Sequence, residues 1–173
     1  MTMTIPQTAV ASAMPTGLPG QVLRGKPDTA ISEEDTNEIP FGLFVVQGDA
    51  DDGALLPSAY TDRLKGLVVL YHGLERTAEL GDTGIKPGAV FGILSEGRAL
   101  VQVPHGSVDP TSEVHVQAIA ETNYPAGTVR SNKSTNKTID ITGLARFLTS
   151  GDAGDIVELE FDLTNVGLAV AGS

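Results

Sequence analysis

The sequence contains no cysteine and no tryptophan. The first absence removes disulfides, thiolate metal sites and thiol nucleophiles. The second, with only three Tyr and five Phe in 173 residues, leaves few rings for a glycan-binding platform. Bases are scarce as well: 11 Lys and Arg stand against 22 Asp and Glu, a formal net charge of −11. Phosphate neutralisation needs clustered cations, so no nucleic-acid partner is expected. No run approaches the roughly 20 apolar residues that cross a bilayer, so no membrane partner is expected either. Ala11-Ser12-Ala13 looks superficially like a signal-peptidase site. No base precedes Arg24 and no continuous apolar stretch precedes the site, which predicts an uncleaved N-terminus.

What is present is Gly (20 residues), Pro (10 residues) and a 40% share of hydrophobic residues. That composition fits short strands joined by tight turns, and neither a disordered acidic tail nor a long-helix protein. The clearest period lies in residues 155–163, where Val157, Leu159, Phe161 and Leu163 alternate with Glu158, Glu160 and Asp162. Period two predicts a strand with one buried and one wet face. Val114, Val116 and Ala118 alternate with His115, Gln117 and Ile119 in the same way. Residues 41–47 and 66–71 are short apolar runs suited to central strands. Residues 89–94 and 98–103 flank Glu96-Gly97, which predicts a tight hairpin with Gly at positive φ. Lys86-Pro87-Gly88-Ala89 carries type II turn chemistry, and Tyr124-Pro125-Ala126-Gly127 suits type I. Short turns are expected around residues 58–64 and 142–147, and no window carries a sustained helical stripe.

Charge is placed unevenly. Asp28, Glu33, Glu34, Asp35, Glu38, Asp49, Asp51 and Asp52 fall in a stretch without a base, whereas Arg130, Lys133, Lys137 and Arg146 are opposed only by Asp140. Most such runs are solvated faces; the alternative is that these four bases make charge contacts between subunits. Residues 1–24 hold Pro6, Pro15, Pro19, Gly17 and Gly20 and read as neither helix nor strand. A disordered terminus is the ordinary reading. The apolar side chains Ile5, Val10, Met14, Leu18, Val22 and Leu23 support the alternative, an extended arm docked on a neighbouring subunit.

Candidate chemistry is sparse. His72, His105 and His115 have no partner at metal-ligand spacing, and each is expected to be a surface or edge histidine. His105-Gly106-Ser107-Val108-Asp109 holds the three triad residue types, but a triad converges from separate segments, so a turn is expected. Asp49-Ala50-Asp51-Asp52-Gly53 begins like a calcium loop, yet its fifth position is Gly53 and its twelfth Tyr60. An acidic hairpin tip is expected, with an adventitious cation as the alternative. The sequons at Asn132 and Asn136 carry no weight without a secretory signal. No phosphate- or dinucleotide-cradling glycine motif occurs.

The order of segments says more than any one motif. Glu38-Ile39-Pro40-Phe41-Gly42-Leu43-Phe44-Val45-Val46-Gln47-Gly48 is followed by Leu55-Leu56-Pro57, the strand of residues 66–72 and Ile85-Lys86-Pro87-Gly88. After residues 90–103 come Ala126-Gly127-Thr128-Val129-Arg130, the run Ile139-Asp140-Ile141-Thr142-Gly143-Leu144, and the closing strand of residues 157–163. This succession resembles the structural cement proteins of tailed bacteriophages, with a longer N-terminus and the acidic loop as departures. The resemblance implies an all-β chain: one β-sandwich or jelly-roll-like domain over residues 25–165, an extended N-terminal arm over 1–24 and a tail over 166–173. It implies a non-enzymatic virion protein without cofactors on the outer surface of the capsid. Its partners would be the phage major capsid protein and itself, as homodimer or homotrimer, bridging capsomers against the pressure of packaged DNA. The rival reading is a host-facing carbohydrate-binding or adhesin-like β-sandwich on a virion.

Overall fold

The computed structural model describes residues 17–70 and 84–164. Ile5, Val10, Met14, His72 and the 166–173 tail lie outside them. The described residues contain no helix, so none long and apolar enough to cross a membrane. In chain order the strands are β1 (Val22–Arg24), β2 (Asp28–Ser32), β3 (Ile39–Pro40), β4 (Phe44–Gln47), β5 (Gly53–Leu55), β6 (Leu64–Val69), β7 (Gly84–Ile85) and β8 (Val90–Leu94). They continue with β9 (Glu96–Gln102), β10 (Ser107–Val108), β11 (His115–Gln117), β12 (Val129–Arg130), β13 (Thr138–Asp140), β14 (Ala145–Phe147), β15 (Gly151–Asp152) and β16 (Ile156–Asp162). The all-β expectation holds.

Five strands close a barrel in the order β2-β5-β4-β6-β8, with β2 and β5 parallel and the other pairs antiparallel. Side chains alternate across a barrel wall. Ala30, Val45, Ala54, Val68, Phe91 and Ile93, drawn from all five strands, form one buried cluster and fill the interior. Their neighbours Phe44, Val46, Leu67, Val69 and Leu94 point outward, yet they too are buried, in a second and larger cluster. A wall covered on both faces requires an unbroken apolar run, which is why residues 44–46 and 66–69 show no polar alternation.

What covers the outer wall is a four-stranded sheet ordered β1-β9-β16-β14. Ala99 and Val101 of β9, Val157, Leu159 and Phe161 of β16, and Ala145 and Phe147 of β14 share the larger cluster with the barrel residues. The rings of Phe44 and Phe161 meet edge to face across this junction, 5.3 Å between centroids and 71° between planes. β16 alternates as its sequence suggests, with Val157, Leu159 and Phe161 buried and the acids between them facing outward. A three-stranded sheet, β12-β11-β13, contributes Val116 and Val129 to the same core, and two-stranded ribbons pair β10 with β15 and β3 with β7.

Several local expectations are corrected. Glu96-Gly97 is not a hairpin: β8 belongs to the barrel and β9 to the four-stranded sheet, so the chain changes sheets at Ser95. Gly97 does have a positive φ of 137°, but it serves a close approach. A Cβ there would fall 2.1 Å from the Arg24 carbonyl oxygen. The turn near Tyr124 lies one residue later, closed by Thr128 N–H donating to the Pro125 carbonyl with Gly127 at φ 84°. Positive φ at the third position makes it type II-like rather than type I. β11 has no wet face, because His115 and Gln117 are as buried as Val116. Lys86-Pro87-Gly88-Ala89 behaves as read, with Ala89 N–H donating to the Lys86 carbonyl and Gly88 at φ 72°.

Candidate functional site

Three polar surfaces merit construction from their residues. The first lies over the three-stranded sheet. Arg130 on β12 places its guanidinium 3.8 Å from the Tyr124 ring centroid, donates to Gln117 Oε1 at 2.8 Å and pairs with Glu121 at 3.0 Å. Lys137 pairs with the other Glu121 oxygen at 2.7 Å. These hydrogen bonds, that from Lys137 foremost and then that from Arg130, hold the Glu121 carboxyl below the usual range. The Gln117 amide is satisfied by the Ile119 carbonyl and Glu121. This network covers the side of β11 that alternation had assigned to water.

His115, expected at the surface, is 1% exposed. Its Nε2 lies 3.0 Å from Glu113 and its Nδ1 3.8 Å from Asp140. His105 is exposed and packs edge to face on Tyr124. Asp109, the third member of the triad-like string, accepts from the Thr111 hydroxyl and amide, which lower its pKa. Among the described residues no group of three or more His, Asp or Glu is placed to hold a metal.

The second surface is the acidic loop. β4 and β5 pair antiparallel with Gln47 opposite Ala54, so residues 48–52 do form a hairpin tip. Glu33 accepts from the amides of Asp49 at 2.7 Å and Ala50 at 2.9 Å, and those two bonds, Ala50's first, lower its pKa. The Lys65 ammonium donates to the carbonyls of Asp51 and Gly53, both at 2.8 Å, and the Gln47 amide donates to that of Ala50 at 2.6 Å. An ammonium thus fills the carbonyl cradle in which a bound cation would sit. The backbone of the tip is tied inward, and the carboxylates of Asp49, Asp51 and Asp52 make no ion pair or hydrogen bond among the described residues.

The third surface is the outer face of the four-stranded sheet. Register puts Arg24 opposite Arg98, Arg98 opposite Glu160, and Glu160 opposite Arg146, so one row crosses all four strands. Glu160 takes the Nε of Arg98 at 2.9 Å and the Nε of Arg146 at 2.8 Å. Those two bonds, Arg98's first, hold its carboxyl below the usual range. Together with Glu96, Gly97 and Asp162 the row lines a cleft of about 570 Å³.

Of the residues read as candidate contacts, Arg130, Lys137 and Arg146 are engaged within the chain, and Lys133 is exposed. Leu18 and Leu23 are exposed, at 63% and 46%. Val22 is half-buried against the larger core, and β1 pairs with β9. Sequence reading missed Arg24, Arg98 and Glu160, since nothing in the linear order reveals that they share a row. Among the described residues Tyr60 is the only strongly exposed Tyr or Phe, too little for an aromatic sugar platform.

Compared with known protein families, residues 5–162 match the family described as "Structural cement protein (E217 gp24/Pam3 gp6)". The chain belongs to the structural cement protein family of bacteriophages. The cement fold recurs in a solved structure described as "The capsid of Myoviridae Phage XM1", with 17% identity, a TM-score of 0.63, and coverage of 89% of this chain and 95% of that one. No curated protein matches. A cement-family chain is a non-enzymatic structural component of the phage virion capsid.

Proposed function

We propose that this cement-family chain binds the outer surface of the icosahedral shell, bridges neighbouring capsomers and stabilises the shell against the pressure of packaged DNA. The observation that carries the reading is the family match across residues 5–162, which includes the segment before the barrel as well as the folded body. The net charge of −11 supports an exterior position, away from the genome. A protein bound across a seam adds free energy that must be lost before the seam parts. Many copies repeat the contact, so modest affinity per site becomes strong retention.

A two-layer, sandwich-like body is the architectural part of this reading, supported by the apolar cluster shared between the barrel wall and the four-stranded sheet. Residues 1–20 are assigned to contact with a neighbouring subunit through Ile5, Val10, Met14 and Leu18. A chain of that length reaches at most roughly 65–70 Å. Leu18 at its base is already exposed. Deleting residues 1–20 is expected to lower capsid occupancy and the heat resistance of particles; unchanged occupancy and heat resistance would remove the arm from the mechanism.

A further inference from the structure

Leu100 is buried on the face of β9 that the core does not use. Its neighbours Ala99 and Val101 belong to the larger cluster, so Leu100 projects with Arg98 and Gln102 from the outer face of the four-stranded sheet. Yet it is 2% exposed and lies in neither core cluster. What covers it is the start of the described chain: a Cβ on Gly17 would fall into the Leu100 Cδ1 methyl. From there Leu18-Pro19-Gly20-Gln21 makes a turn, closed by Gln21 N–H donating to the Leu18 carbonyl at 3.0 Å. Pro at the second position and Gly20 at φ 81° in the third make it type II. Both backbone polar groups of Gly20 are engaged, each with a different layer. Its N–H donates to the Leu100 carbonyl of the sheet at 2.8 Å, and its carbonyl accepts from Leu70 N–H, just past barrel strand β6, at 2.9 Å. Leu100 N–H donates in turn to the Gln21 carbonyl at 2.9 Å. The fit is backbone on backbone: a Cβ on Gly20 would stand 2.9 Å from the Val68 carbonyl oxygen and 3.0 Å from the Gly42 nitrogen.

We infer that this turn is a joint locking the root of the N-terminal arm to the barrel and the sheet together, so that a pull on the arm is carried into the shared core. The inference rests on the reading that the arm engages a neighbouring subunit, because a bridge across a seam holds only as well as its root. β1 alone would be a poor root. It is three residues long and lies at the edge of its sheet, and short segments near a terminus fray readily unless they are tied down. The turn closes that route ahead of β1. An opening that begins at the arm must break the bonds of Gly20 to Leu100 and Leu70 before it reaches Val22. Gly20 acts as a positioning residue here, since its positive φ and the backbone crowding around it leave no place for a side chain.

The test is native-state hydrogen exchange of the purified full-length protein, followed by NMR at Leu70 and Leu100, whose amides donate to carbonyls of the turn. In the wild type both should exchange within about tenfold of Leu159, in the middle of β16. Gly20→Ala should speed both at least about tenfold relative to Leu159, whereas a general loss of stability would speed all three alike. Gly88→Ala is the control. Gly88 has φ 72° in the other Pro-Gly turn, with nothing within 4 Å of an added Cβ, so the ratios should stay at wild-type values. The chain has no Cys, so Thr4→Cys and Thr164→Cys together supply unique handles for pulling in optical tweezers. With Gly20 in place the protein should open in one step; with Gly20→Ala it should first release residues 17–24, up to roughly 25–30 Å. Wild-type Leu70 and Leu100 amides exchanging more than about tenfold faster than Leu159, or early release of the root in the wild type, would each overturn the inference. So would wild-type ratios in Gly20→Ala, or the same change in Gly88→Ala. These measurements need no capsid, so their failure leaves the arm's contact standing. Deleting residues 1–16 spares the turn, and unchanged capsid occupancy after that deletion would remove the contact and leave the joint.

Discussion

Phe44→Ala removes a fully buried ring from the junction between the barrel and the four-stranded sheet. Truncating a buried Phe costs about 3–5 kcal/mol, from lost transfer energy and from the cavity left behind. For a chain of this length each kcal/mol is worth about 2–4 °C, so Tm should fall by about 6–20 °C. Phe161→Ala, 3% exposed in the wild type, should cost a similar amount. Because the two rings meet edge to face, the double variant should cost less than the sum of the singles, by about 0.5–1.5 kcal/mol for the aromatic contact and more through the shared cavity. Urea unfolding followed by far-ultraviolet circular dichroism and by tyrosine fluorescence measures all four corners of the cycle. Coincident transitions are expected, since barrel and sheet share one core. Additivity of the two substitutions, or separate transitions for the two probes, would refute the view that the barrel wall and the sheet fold as a unit.

Glu33→Gln should speed hydrogen exchange at the amides of Asp49 and Ala50 while barely moving global stability. With the Glu33 carboxyl lowered in the folded state, its contribution is present above the unfolded pKa of about 4.3 and is lost as pH falls through the lower folded value. Protection of those two amides should therefore decline only in acid, and a pH-independent profile would exclude the carboxylate as the cause. Gly97→Ala should destabilise by more than about 2 kcal/mol, because the added Cβ meets a backbone oxygen and the φ of 137° disfavours any side chain; a melt within a degree of wild type would contradict that. Millimolar calcium should leave Tm unchanged, since Lys65 fills the carbonyl cradle of the tip, and a calcium-dependent rise in Tm would show otherwise.

The parts of the fold legible in the sequence were those where one physical constraint acted alone. β16 has a core on one face and water on the other, so Val157, Leu159 and Phe161 declare themselves. β4 and β6 are buried on both faces and read as apolar runs. β11 was misread because its second face is buried by a polar network, in which Gln117, Arg130 and Glu121 satisfy one another. Alternation of polarity cannot distinguish that from a wet face. The sheet change at Ser95 was hidden because a glycine at positive φ serves a tight hairpin and a close backbone approach equally well. The arginine row was invisible for another reason: its four members come from four strands, and only register brings them into line.

The most direct measurement is cryo-electron microscopy of capsids lacking this protein, before and after it is added back. Density for the chain on the outer surface, spanning the boundary between neighbouring capsomers and accompanied by a higher disruption temperature, is the expected result. Density confined to a single capsomer, density on the inner wall, or no binding at all would contradict a bridging role.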